Sequence, residues 1–392
     1  MTQFKSKTIA VRTGIESDTQ YGSVVPPICL STNFGFSSFG HPNKYDYSRS
    51  GNPTRSLLEK TLYKLEHGEG AVITNSGMSA LNLLVSAMVG PDDLIVAPMD
   101  CYGGSYRLLN SRAKKRDFKV LFIDQTSPKE VELALAQMPK LILLETPSNP
   151  LLRVVDITEI CGLAKKIGAL VAVDNTFLSP IYQTPITLGA DFVIHSTTKY
   201  LNGHSDVIGG VVISETKELA NEIVWWGNCI GATGTAFDSY LTLRGIRTLH
   251  PRMKLHEENT KRILAYLKKQ PLIKTLYHPI LASHIGHSIA ERQQQGYGCM
   301  ISFELVGSSP QLEVFINELK LFSLAESLGG VESLICHPAT MTHRAMGAEA
   351  LRNVGISQNL LRLSVGLEDA DDLIQDLDHA FKLVQSNLSK IE

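Results

Sequence analysis

Lys199 follows a short apolar run, Phe192–Ile194, through the polar stretch His195-Ser196-Thr197-Thr198. A lysine just past a buried strand and ringed by hydroxyls is poorly placed for a solvated cation. Burial lowers an ammonium's pKa and leaves a nucleophilic amine, able to condense with a carbonyl. Asp174 closes another apolar run, Leu170–Val173. An aspartate there suits a protonated ring nitrogen, the cation that makes a heteroaromatic ring an electron sink. A structural Asp–Lys ion pair fits the same spacing equally well.

Two more apolar runs end in polar chemistry. Ala71–Thr74 leads into Asn75-Ser76-Gly77-Met78 and then a helical pattern. Backbone amides at that helix start favour an anion such as phosphate, although a plain glycine turn uses the same residues. Leu141–Leu144 leads into Glu-Thr-Pro-Ser-Asn-Pro, which sets Asn149 in a rigid loop. Open α/β sheets bind ligands beyond the carboxyl ends of their strands, so these four ends converge on one candidate site.

The elements that must position them read as follows. Apolar runs at Ala71–Ile73, Asp93–Ala97, Lys119–Ile123, Leu141–Leu144, Leu170–Val173, Phe192–Ile194 and Val207–Ile213 alternate with helical patterns such as Ser79–Val89 and Ile157–Ile167. Continuous apolar strands separated by helices predict an α/β fold with a mainly parallel sheet covered on both faces. A long helical connector is expected from about Thr242 to Lys269, then a half-buried strand at Cys299–Leu305 and a final helix over Asp371–Ser386. This divides the chain into an arm (1–60), a large domain (61–256) and a smaller α+β C-terminal domain (257–392). The arm is rich in Ser, Gly, Pro, Asn and Tyr and has no core pattern of its own, so it is expected to dock on something. After it, Thr54 is the expected cap of a helix bearing Leu57, Leu58, Leu62 and Leu65 on one face.

Composition and failed motifs exclude much else. The 392 residues imply two to three domains and a core large enough to need no staple. Lys+Arg 37 against Asp+Glu 39, with 43% hydrophobic residues, argues against nucleic-acid binding and against disorder. The start MTQFKSKTIAVRTG shows no apolar h-region, and no apolar run approaches a membrane span. Six cysteines without a CxxC pair suit reduced thiols in a cytoplasm. Gly77-Met78-Ser79-Ala80-Leu81 lacks the final glycine of a nucleophile elbow, and Gly68-Glu69-Gly70 fails the dinucleotide fingerprint. No P-loop motif is present. His284 and His287 form an HxxH pair that reads as a surface loop, so no metal is expected.

Seven segments then carry a resemblance: YSRSGNPT (47–54), NSGMSA (75–80), DCYGGSYR (100–107), ETPSNP (145–150), VDNTF (173–177), HSTTKYLNGHSD (195–206) and LAESLGGVESL (324–334). From about Lys7 to Lys382 the chain resembles the γ-subfamily of pyridoxal-phosphate enzymes of cysteine and methionine metabolism. The resemblance implies the aspartate-aminotransferase-like fold (type I), with a mainly parallel seven-stranded sheet between helices. It implies pyridoxal 5′-phosphate as cofactor and Lys199 as the lysine that binds it and shuttles protons. Asp174 would pair with the ring nitrogen, and Tyr102 would stack over the ring, its phenolate assisting deprotonation of the incoming amine. Gly77, Met78, Ser196 and Thr198 would hold the phosphate, joined by Tyr47 and Arg49 from a neighbouring subunit. Arg362 and Asn149 would take the substrate's α-carboxylate, the arginine through a bidentate pair. Asp46, Arg107, Glu326 and Ser327 would shape the distal substrate pocket. Taken singly, Arg49 and Arg107 also read as solvated arginines, Tyr47 and Tyr102 as turn aromatics, and Asn149 as a turn residue.

Within the family, VWWGNCIGATGTAFDSYL and ICHPATMTH resemble the branch that performs γ-replacement. The implied reaction joins O-succinyl-L-homoserine and L-cysteine into L-cystathionine, releasing succinate. Gly104 stands where methionine γ-lyases are expected to have cysteine, and Glu326-Ser327-Leu328 where bacterial β-lyases are expected to have an aromatic pocket with tryptophan. Ser50 stands where close relatives often have arginine, which leaves Arg49 as the aligned phosphate ligand. Cystathionine γ-cleavage, sulfhydrylation of the homoserine ester, and cofactor binding by a non-catalytic regulator remain open. The resemblance further implies a homotetramer built as a dimer of dimers, with small-molecule amino-acid substrates and no nucleic-acid or membrane partner.

Overall fold

The computed structural model describes residues 4–388. A short hairpin on the arm pairs β1 (Phe36–Ser38) with β2 (His41–Pro42). Seven strands then follow: β3 (Gly70–Thr74), β4 (Leu94–Pro98), β5 (Lys119–Ile123), β6 (Leu141–Glu145), β7 (Leu170–Asp174), β8 (Phe192–Ser196) and β9 (Gly210–Ser214). They form one sheet in the order β3-β9-β8-β7-β6-β4-β5. All neighbours are parallel except β9, which runs antiparallel to both β3 and β8. Every residue of β6 and β9 is buried, as expected of strands covered on both faces. Each fully buried Leu, Ile or Val contributes about 1.5–3 kcal/mol.

The helix Pro53–Leu65 shows how the sequence sets an element boundary. Its cap is Asn52, not Thr54: the Asn52 side chain accepts from the amides of Thr54 (2.9 Å) and Arg55 (3.2 Å). Pro53 occupies the first helical position, where no amide is needed. Thr54 ties the arm down instead, accepting from Cys29 N and donating to Pro27 O. The arm also contains a helix, Ser6–Arg12, whose Ala10 is buried against the core below.

The expected connector is two helices, Ala236–Ile246 and Leu249–Leu267, separated at Arg247-Thr248. The second helix changes cores along its length. Leu249 and Met253 pack with the large sheet's residues, while Ile263, Leu264 and Leu267 pack with the C-terminal ones. There β10 (Ile273–Tyr277), β11 (Met300–Leu305), β12 (Ser323–Leu324), β13 (Leu334–Cys336) and β14 (Leu360–Ser364) form a second sheet in the order β10-β11-β14-β13-β12. The strand expected to be half-buried, β11, is buried at all six residues. Phe303 meets Phe315 and Phe381 on one face, and Ser302 Oγ donates to Pro150 O (2.6 Å) on the other. The long helix Ala370–Leu388 completes this layer. No helix among the described residues is long and apolar enough to cross a membrane.

Candidate active site

The carboxyl ends of β4, β6, β7 and β8 open into a cavity of about 780 Å³. Gly77, Met78, Tyr102, Asn149, Asp174, Ser196, Thr198, Lys199, Glu326, Ser327 and Arg362 all line it. The small sheet supplies its opposite wall through Arg362 on β14 and the segment around Ser327.

At one end lies an anion cradle. Ser76 caps the helix Gly77–Met88, its hydroxyl accepting from Ser79 N (3.1 Å). The amides of Gly77 and Met78 remain as first-turn donors without helical acceptors. Gly77 has to be glycine, because a Cβ there would sit 2.9 Å from Ser196 Cβ. That close approach brings the amides up to Ser196 and Thr198. Thr198 Oγ1 is fixed by the amide of Gly209 (3.0 Å).

Asp174 terminates β7. Thr176 N donates to it (3.0 Å), and Thr176 Oγ1 accepts from Ser196 N (2.9 Å), tying the two strand ends together. Burial raises the carboxyl, against the pull of Thr176 and of His195. Behind the sheet, His195 Nε2 and Glu66 Oε1 lie 2.7 Å apart, both fully buried. No cation of the chain bonds Asp174 directly among the described residues, so a protonated ring nitrogen fits the carboxylate left at this strand end.

Lys199 Nζ donates to Ser327 Oγ (2.8 Å). Burial, reinforced by the Arg362 guanidinium and opposed by Glu326, pushes its amine down to about 8. Ser327 adopts φ +97°, and its carbonyl accepts from Arg362 Nη2 (2.9 Å). Arg362 is 2% exposed and also donates from Nη1 to Asn149 Oδ1 (2.7 Å). Its Nε is buried with no protein acceptor, and Nη1 and Nη2 spend only one N–H each on Asn149 and Ser327, so a fork of donors remains for a carboxylate. Asn149 is held on further sides: its amide donates to Glu145 Oε1 (2.9 Å), and its carbonyl accepts from His343 Nε2 (2.9 Å). Burial, then Arg362, lowers His343 to about 4, so the ring is neutral and carries its proton on Nε2.

Tyr102 precedes the helix Gly103–Lys114, half-exposed over the cavity. Gly104 makes room for it, since a Cβ there would lie 2.5 Å from the Tyr102 ring. Burial and Glu326 raise the phenol, with Arg107 and Arg362 opposing. These surroundings hold Tyr102 neutral, and Lys199 is the better base.

Four sequence candidates do not line this cavity. Asp46, Tyr47 and Arg49 lie exposed on the arm, where Arg49 Nη1 donates to Asn228 O (2.7 Å) and its guanidinium sits over Tyr47. Asp46 bonds to Ser50 Oγ. Arg107 is exposed on the Tyr102 helix. His284 and His287 bond to Gly286 N and Pro279 O, and no cluster able to hold a metal occurs among the described residues. Sequence reasoning missed Glu145, Thr176 and His343. The signal for Glu145 was available, because it ends an apolar run just as Asp174 does.

Comparison with known proteins agrees with this geometry. A family model described as Cys/Met metabolism PLP-dependent enzyme matches residues 7–382. The cystathionine gamma-synthase of Escherichia coli (strain K12) is 57% identical over 96% of this chain and 98% of its own. The cystathionine gamma-lyase of Bacillus subtilis (strain 168) is 43% identical over 96% and 98% respectively. A crystal structure of the cystathionine gamma synthase from Xanthomonas oryzae pv. oryzae, in complex with cystathionine, matches with a TM-score of 0.97. It shares 53% identity, covering 98% of this chain and 100% of that one.

Proposed function

The chain belongs to the PLP-dependent enzymes of Cys/Met metabolism, and we propose that it joins O-succinyl-L-homoserine to L-cysteine, giving L-cystathionine and succinate. The observation that carries this reading is the chain-long likeness to cystathionine gamma-synthases. Pyridoxal 5′-phosphate, when bound, supplies an aldehyde that captures the substrate amine and a ring that spreads the charge left at Cα.

The chain's own residues do the rest. The helix Gly77–Met88 with Ser196 and Thr198 would anchor the phosphate, Asp174 the ring nitrogen, and Tyr102 one ring face. Arg362, fixed by Asn149 and Ser327, grips the α-carboxylate and so orients the Cα–H toward Lys199. With its amine near 8, Lys199 is neutral in a useful fraction near neutral pH and takes the Cα proton as general base. Lys199 must hand this first proton on, toward the cofactor, before its amine, aimed by Ser327 Oγ, can take a second one from Cβ. Succinate leaves Cγ as a carboxylate, the cysteine sulfur bonds to the same carbon, and Lys199 returns protons to Cβ and Cα. Glu326, at the cavity's outer wall, suits the ammonium group of cysteine.

The same reading divides the chain into the arm (1–60), a large cofactor domain (61–256) and a small domain (257–392). The change of core between Met253 and Ile263 supports the second boundary. Tyr47 and Arg49 would complete the phosphate site of a neighbouring subunit, within a homotetramer of paired dimers. Their position outside their own cavity supports this, as do exposed apolar side chains on the arm (Tyr21, 80%) and on the helix Lys217–Ile230 (Trp225, 60%). Six unpaired cysteines support a cytoplasmic setting. A second reading, γ-cleavage of cystathionine, is favoured by cystathionine gamma-lyase relatives such as that of Bacillus subtilis, at lower identity than the gamma-synthase of Escherichia coli. Holoenzyme given both substrates is expected to release succinate and cystathionine in equal amounts, read by chromatography. Succinate released without cystathionine would contradict the proposal.

A further inference from the structure

Glu145 ends β6, buried at the back of the cavity. Its two carboxylate oxygens face two backbone amides from different loops. Oε2 accepts from Tyr102 N (2.9 Å) and Oε1 from Asn149 N (2.9 Å). One of these residues covers the cofactor ring in the reading above; the other holds the arginine that grips the substrate. We propose that Glu145 is a positioning residue that couples Tyr102 to Asn149, so that one buried carboxylate sets both the ring stack and the carboxylate clamp.

The inference rests on the functional reading for the roles of those two partners, and on the structure for the coupling. Two acceptor oxygens opposite two amide donors suit a carboxyl group, and both bonds favour its charged form. A glutamine offers one acceptor oxygen and one NH2 donor group, so it satisfies one amide and opposes the other. The placement is costly. Glu145 lies in register with Asp174 on the neighbouring strand, and burial, then Asp174, raises its carboxyl well above the usual range. A residue kept only for packing would avoid a second carboxylate here. A cationic ring held by Asp174 relieves the repulsion, which ties Glu145 to cofactor affinity as well as to geometry.

The test compares wild type, Glu145→Gln, Asn149→Ala and the double variant. Cofactor affinity is read by absorbance titration, kcat and KM by cystathionine formation, and folding by thermal midpoint. Glu145→Gln is expected to keep its midpoint while cofactor affinity falls and KM for the homoserine ester rises, each by about tenfold to a hundredfold. The double variant is expected to lie within about threefold of the worse single one, because Glu145 acts through Asn149. If the glutamine variant does not fold, Glu145→Asp, too short to reach both amides, carries the same comparison. Affinity and KM within about threefold of wild type overturn the proposal. So do losses that follow the thermal midpoint and multiply with Asn149→Ala. If wild type makes no cystathionine, the cofactor titration still decides the role of Glu145, so the two failures are separable.

Discussion

The strand ends and the arm supply two parts of the proposed site, and they are built in opposite ways. At the ends of β6, β7 and β8 each functional side chain is held from within the chain: Asn149 by Glu145, His343 and Arg362, Asp174 by Thr176, Lys199 by Ser327. On the arm, Asp46, Tyr47 and Arg49 are exposed, among apolar residues that also face outward. The first region is pre-organised by folding, so its parts are expected to fail singly and severely. In the proposed reading the second completes a neighbouring subunit's site, so its parts are expected to be replaceable from a partner subunit.

The sharpest break is Lys199→Ala, which removes the base and is expected to lower turnover by at least ~10⁴-fold, read as cystathionine formed. Normal turnover in that variant would remove the mechanism. Arg362→Lys comes next. A lysine keeps the charge but cannot bond Asn149 Oδ1 and Ser327 O and still offer a fork, so kcat/KM is expected to fall by about 10²-fold. A value near wild type would mean that charge alone suffices.

The arm responds differently. Arg49→Ala and Lys199→Ala are each expected to be poorly active. Co-refolded in equal amounts, they are expected to recover about a quarter of wild-type activity, since each mixed dimer assembles one intact site. No recovery would make the site self-contained. The smallest effect concerns stability. Lys199 has its amine at about 8 when folded, against 10.5 ordinarily. Between those values the unfolded chain binds more protons, so stability rises with pH across that window. Apo Lys199→Met is therefore expected to exceed apo wild type by up to about 3 kcal/mol at pH 7, an advantage that fades by about pH 10.5. Equal stability at both pH values would mean the amine is not desolvated.

The same contrast governs what was legible in the sequence. The large sheet was readable because both faces are covered, and its strands stand out as continuous apolar runs. The polar residues that close those runs led to Lys199 and Asp174. Where a local rule met tertiary structure, reading failed. Thr54 has the chemistry of a cap, but Asn52 before Pro53 takes that role while Thr54 anchors the arm. Alternation in Cys299–Leu305 suggested a wet face, yet Ser302 and Glu304 are buried against Pro150 and Tyr277. His343 lies almost two hundred residues from the loop it supports, and no periodicity reports such a contact. The roles of the arm's residues came from resemblance alone, because an exposed segment carries no packing pattern to read.

The central claim is that this site is tuned to replacement over cleavage. The direct measurement is a steady-state comparison on wild-type holoenzyme of O-succinyl-L-homoserine plus L-cysteine against L-cystathionine alone. Replacement is expected to have the higher kcat/KM by at least ~10-fold, a ratio that reports differential stabilisation of the two transition states. Faster cleavage of cystathionine would contradict the account and make the protein a γ-lyase.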